Sequence, residues 1–226
     1  RTGVKAKKGR NGTAYYVKAA DYGDGSSGQP ERLPTKLYSY PTLTETRSNG
    51  DQVTVTYTFW DSPTDNKLKT KTITSPSIPD SQNGPDASFA VQKQYFDEYG
   101  RLRWLLDGEG SVTYYAQHPN FDQRAYRMID VETDDLPTAI TSGSSGKWIA
   151  WSGSAPDGFS NTDDNALQLV TKREYDDLGR RVRLEDPESM VTCTVYLDNE
   201  RRVYRSWDAT NDRPRLPVAV TKTNDA

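Results

Sequence analysis

The chain is 226 residues long, with 29 Lys+Arg against 32 Asp+Glu, one His and one Cys. A formal charge of -3 gives no global attraction to nucleic acid or an anionic membrane, and no apolar run approaches the ~18 residues of a membrane span. One Cys cannot close an internal disulfide, and one His with one Cys cannot build a zinc site. Only 33% of residues are apolar, which alone would lean towards disorder, but 11% are aromatic, a class that disordered chains lack. The balance is that of a polar, ordered β protein.

Taken in chain order, the pattern has a period of two and not 3.6. Residues 1–36 read as a degraded repeat end: Tyr16-Val17-Lys18-Ala19-Ala20-Asp21, a Gly/Ser loop over 21–32, then Leu33-Pro34-Thr35. Residues 37–90 hold a divergent β-repeat. Its strand, Val53 to Trp60, points Val53, Val55, Tyr57 and Phe59 one way and its threonines the other, and a Pro/Ser loop over 75–88 follows. Residues 91–140 form the next unit, with alternation in Leu102/Trp104/Leu106. A Gly/Ser/Trp insertion over 141–168 reads as a small extra hairpin. The last unit, 169–226, alternates in Val191/Cys193/Val195/Leu197 and in Val203/Arg205/Trp207. The expected class is all-β: antiparallel hairpins in a continuous curved or spiral sheet, with loop insertions.

The turns are the most specific signal. Asp97-Glu98-Tyr99-Gly100 and Asp176-Asp177-Leu178-Gly179 each open on Asp, which can cap the turn's own amides, and close on Gly, which supplies a left-handed backbone. An aromatic precedes each turn (Phe96, Tyr175) and an arginine follows it (Arg101, Arg180). Ten residues on, Asp107 and Asp186 open a second turn. The two stretches superpose at an offset of 79, which also aligns Glu109 with Glu188 and Val112-Thr113 with Val191-Thr192. Further on, Tyr126-Arg127-Met128-Ile129-Asp130 matches Tyr204-Arg205-Ser206-Trp207-Asp208. Both ends of the chain fall inside the pattern, as in a slice of a longer polypeptide.

Tyr175-Asp176-Asp177-Leu178-Gly179-Arg180, followed by Tyr196-Leu197-Asp198-Asn199-Glu200-Arg201, resembles the Rhs/YD-repeat family, and Phe96-Asp97 through Thr113-Tyr114-Tyr115 is similar. The resemblance covers roughly 91–130 and 169–209; over 37–75 Trp60-Asp61 stands where Tyr-Asp would. Asn199-Glu200 replaces the family's Gly, and Gln117-His118-Pro119 lacks the Tyr-Asp pair. The resemblance implies a spiral β-shell, of the kind that encloses a cargo in bacteria and that teneurins use for adhesion. On that basis the chain is expected to be a non-enzymatic structural segment of a large secreted or cell-surface bacterial protein. Its partners would be neighbouring segments of the parent chain or other copies of itself. In the repeat motif, Phe96, Asp97, Gly100, Arg101, Tyr175, Asp176, Gly179 and Arg180 are expected to be structural, each aromatic lying beneath its own turn.

Chemistry-bearing residues are few. His118 stands before Pro119 as a surface or turn histidine, and Cys193 alternates with valines as a small buried hydrophobe. No nucleophile, zincin, P-loop or dinucleotide fingerprint occurs, and the matched aspartates occupy turn positions, so no catalytic residue and no cofactor is expected. A calcium site in Asp157, Asp163, Asp164 and Asn165 is one alternative, although the spacing fails the EF-hand pattern. Another is a ligand contact at Trp148 and Trp151. Three residues apart, these two point to opposite faces of an ideal strand, and a bulge would be needed to align them. Aligned and exposed, they would suit a carbohydrate- or cell-surface-binding adhesion module. A toxin-encapsulating shell is a third reading and would need a cargo domain. Neither nucleic acid nor membrane insertion is expected.

Overall fold

The computed structural model describes residues 2–7, 14–23, 33–39, 51–61, 67–76, 90–143, 146–162, 165–197, 202–208 and 219–222. The chain divides into two compact units, Arg1–Ser111 and Val112–Ala226. The division falls inside the stretch 91–140 that the sequence suggests as one unit. Both units are all-β and antiparallel, each strand pairing with the next in sequence.

The first unit contains β1 (Thr2–Lys7), β2 (Ala14–Tyr22), β3 (Pro34–Ser39), β4 (Asp51–Phe59), β5 (Leu68–Thr74), β6 (Val91–Phe96) and β7 (Leu102–Leu106). Period-two alternation explains β4: Val55 is buried while Thr56 and Thr58 are exposed. The outward threonines pair across the ladder, the Thr58 and Thr70 hydroxyls lying 2.6 Å apart. Trp104 and Tyr95 sit opposite one another on β7 and β6, both buried, and Trp60 meets the Tyr95 ring edge-on at 5.7 Å.

The second unit contains β8 (Val112–Gln117), β9 (Arg124–Ile129), the short helix α1 (Thr138–Ser142), β10 (Leu169–Tyr175), β11 (Arg181–Glu185), β12 (Val191–Leu197), β13 (Arg202–Asp208) and β14 (Ala219–Lys222). Every residue of β8 is buried, on both faces. Tyr114 and Ala116 pair with Met128 and Tyr126 of β9, and these four are at most 2% exposed. Each large side chain so covered contributes about 1.5–3 kcal/mol of transfer free energy.

One device recurs in both units. A tyrosine hydroxyl near the end of a strand donates to the first carbonyl of the strand before it: Tyr57 to Pro34 (2.9 Å), Tyr175 to Arg124 (2.8 Å) and Tyr196 to Arg181 (3.2 Å). The first residue of a strand has an outward carbonyl with no ladder partner, and the tyrosine supplies one. This corrects the expectation that Tyr175 lies beneath its own turn; its hydroxyl reaches sideways to β9.

Two other expectations change. Residues 141–168 form no hairpin: among the described residues they contain no strand. Gly, Ser and Pro interrupt any two-residue alternation, so the backbone amides find separate acceptors, Ile149 on Gln117 (2.9 Å) and Trp151 on Ile140 (2.9 Å). Cys193 is half-buried on β12 and not a core residue; Val195, two positions on, is 43% exposed.

Candidate functional site

The repeat-motif residues build one object twice. In the first turn, the Asp97 Oδ1 accepts the amides of Tyr99 (3.0 Å) and Arg101 (3.0 Å). Its Oδ2 takes the Arg101 guanidinium through Nε (2.9 Å) and Nη2 (2.8 Å). Asp176 repeats this with the Leu178 amide (3.1 Å), the Arg180 amide (2.8 Å), Arg180 Nε (2.8 Å) and Arg180 Nη2 (2.7 Å). The bond to Arg180, which outweighs a slight desolvation, holds the Asp176 carboxyl below its ordinary value. Gly100 and Gly179 lie at φ 77 and 74, in the left-handed region that closes the turn. Arginine is needed because only its fork can engage the carboxylate while its own amide completes the cap. Phe96 precedes the first clamp and accepts the Trp60 indole N–H on its carbonyl (3.2 Å).

The second turns share half of the wiring. Asp107 Oδ1 accepts Glu109 and Ser111 amides at 3.0 and 2.9 Å, and Asp186 Oδ1 accepts Glu188 and Met190 amides at 3.0 and 2.9 Å. No arginine follows, so no clamp forms.

The insertion brings Trp148 and Trp151 to different places. Trp148 is 5% exposed, packs against Tyr126 with tilted rings 4.7 Å apart and donates its indole N–H to the Ala139 carbonyl (3.0 Å). Trp151 is half-buried and donates to the Ser154 carbonyl (2.8 Å). They share no exposed platform. The far end of the insertion is tied down by Asp130, whose carboxylate accepts Asn161 Nδ2 (3.0 Å) and the Leu167 amide (2.7 Å). Thr133 and Asn161 add reciprocal bonds of 2.8–3.0 Å. Of the calcium candidates, Asp163 and Asp164 lie outside the described residues. Among the described residues no three His, Cys, Asp or Glu gather as metal ligands.

His118 sits in the turn between β8 and β9, its Nδ1 accepting the Asn120 amide (3.2 Å). It stacks on Phe121 at 4.8 Å and meets Tyr175 edge-on at 5.8 Å. Beside it, strand register sorts charge by face. Lys172 pairs with Tyr126 and Glu185, and Glu174 pairs with Arg183, so these side chains share the face covered by Trp148. There, Glu174 bonds Lys147 (2.7 Å) and Arg183 (3.1 Å), while Glu185 bonds Lys172 (2.7 Å) and Arg183 (3.0 Å). Burial works to raise both glutamates, but the hydrogen-bonded cations outweigh it and hold both carboxyls below the ordinary value.

The opposite face carries Arg127, which pairs with Thr171, then Arg173 and Tyr175, the last opposite Arg181. Sequence reading missed this group because Arg127, Arg173 and Arg181 are scattered among other charges along the chain. Only the pairing register brings them onto one face. No family model matches the chain, and no curated protein aligns with it.

Proposed function

We propose that the chain is a non-enzymatic segment of the wall of a YD-repeat-type β-shell, part of a large secreted or cell-surface bacterial protein. The observation that carries this reading is the clamp built twice, at Asp97–Arg101 and Asp176–Arg180, with the same donors and acceptors. A repeated turn whose Asp and Arg are bonded to one another and to the turn's own amides suits a scaffold: it sets the spacing of successive hairpins. In such a wall neighbouring segments would cover the strands, and β8 is buried on both faces. The adhesion reading loses its platform, since Trp148 is spent on packing against Tyr126.

The test is the oligomeric state of the native chain, by light scattering coupled to intact mass measurement. A wall segment carries unpaired edges and is expected to form assemblies through them. A stable monomer over a wide concentration range would overturn the assembly reading and return the question to adhesion.

A further inference from the structure

We propose that Arg124, Arg127, Arg173 and Arg181, gathered around Tyr175 on β9–β11, form a binding site for a phosphate or sulfate ester. The inference stands whether or not the wall reading holds. Its geometry comes from the ladder: Arg127 pairs with Thr171 beside Arg173, Tyr175 pairs with Arg181, and the Tyr175 hydroxyl donates to the Arg124 carbonyl at 2.8 Å. Among the described residues, none of the four guanidiniums meets a carboxylate. Arg124 lies over the Tyr115 ring at 4.3 Å, and the Nε of Arg127 is buried with no hydrogen-bond partner. A buried donor left without an acceptor is expensive, and an anion would supply one.

The reverse side of the same strands is charge-paired. There each of Lys147, Lys172 and Arg183 has its glutamate. On this side like charges crowd together, with no carboxylate partner among the described residues. Burial first, and then the three neighbouring arginines against the opposing effect of Tyr175, hold the Arg173 guanidinium below its ordinary value. A tetrahedral anion relieves that crowding, and its oxygens match the forked N–H donors of arginine. The His118–Phe121 stack beside Tyr175 offers ring surface for the organic part carrying the ester. A polynucleotide fits less well, because the cations form one patch and not a backbone-long stripe, on a chain of net charge -3.

The experiment is calorimetric titration of the full chain at low ionic strength with inorganic phosphate, inorganic sulfate, glucose 6-phosphate, glucose 6-sulfate and glucose. Saturable uptake of the sugar esters, tighter than of the free ions and absent for glucose, is expected. Arg173→Gln should weaken it about tenfold, whereas Lys172→Gln, one residue along on the other face, should leave it unchanged. Should Arg173→Gln fail to keep the wild-type melting transition, the exposed Arg181→Gln provides the same comparison. No uptake of any anion overturns the site. Equal weakening by Lys172→Gln overturns it too, since the effect would then be one of overall charge. Free ions binding as tightly as the sugar esters would overturn the assignment to an ester.

Discussion

Residues 91–130 and 169–209 start from one plan and part in two places. Their first turns agree bond for bond, Asp97 and Asp176 each capping two amides and gripping one arginine. Their second turns diverge at the fourth residue, Gly110 at φ 93 against Ser189 at φ 63. The strands beyond diverge further: β8 is buried throughout, while Val191 to Tyr196 of β12 are half-buried or exposed. Turn wiring is therefore a local property written by Asp and its own downstream amides. Burial is a property of what lies over the strand, and it is beside β8 and β9 that the insertion places Trp148.

The widest gap between the two regions should open on removing that cover. Trp148→Ala leaves a cavity over Tyr126 and is expected to cost about 3–5 kcal/mol. Val195→Ala on β12 should stay within about 0.5 kcal/mol, as the side chain is 43% exposed. Denaturant midpoints of the two variants measure the difference. Equal midpoints would mean that the insertion does not stabilise the first region.

Next in size come the clamps, where the regions should behave alike. Asp97→Ala strips two backbone amides and a guanidinium of their acceptor, and with the side chain 15% exposed the loss should be about 1–3 kcal/mol. Asp176→Ala should shift the midpoint in the same direction, and less, because its carboxylate stands further in solvent. A silent Asp97→Ala would show that glycine alone shapes the turn.

These elements were legible to very different degrees. The amide caps of Asp97 and Asp176 and the closing glycines could be read directly, since those bonds join residues at most four apart and need no tertiary context. Arg101 and Arg180 stand out in the pattern too, but their grip on the aspartates was not read from it. The strand alternation around Val55 was legible for the same reason. Residues 141–168 were not, because their amides bond to Gln117 and Ile140, partners that no local pattern names. The sideways reach of Tyr175 and the gathering of Arg127, Arg173 and Arg181 needed the pairing register. Alternation says which residues of one strand share a face, but not which residues of the neighbouring strand join them.

Acid should weaken the second region. In the second region Asp176, Glu174 and Glu185 all have carboxyls held below their ordinary values. Groups depressed in the folded state stabilise it fully above their unfolded values, near pH 4. That contribution disappears as pH falls through the lower folded values. Melting temperature should accordingly drop between about pH 4 and more acid conditions. In a Glu174→Gln/Glu185→Gln double variant the drop should be shallower. An unchanged profile in the double variant would place the acid sensitivity elsewhere.

The finest comparison is between Gly110 and Ser189. A side chain in the left-handed region costs about 1–2 kcal/mol relative to the right-handed one, against which glycine loses about 0.5–1 kcal/mol more backbone entropy on folding. Ser189→Gly should therefore stabilise by about 0.5–1 kcal/mol. Gly110→Ser should destabilise by a similar amount, and through the backbone alone, since a Cβ at Gly110 meets nothing within 4 Å. The double exchange should return close to the parent midpoint if the two turns are energetically independent. A double variant well below it would mean that the first region needs its glycine for more than a backbone angle. A Ser189→Gly variant no more stable than the parent would mean that the Asp186 cap already holds the serine in place at no measurable cost.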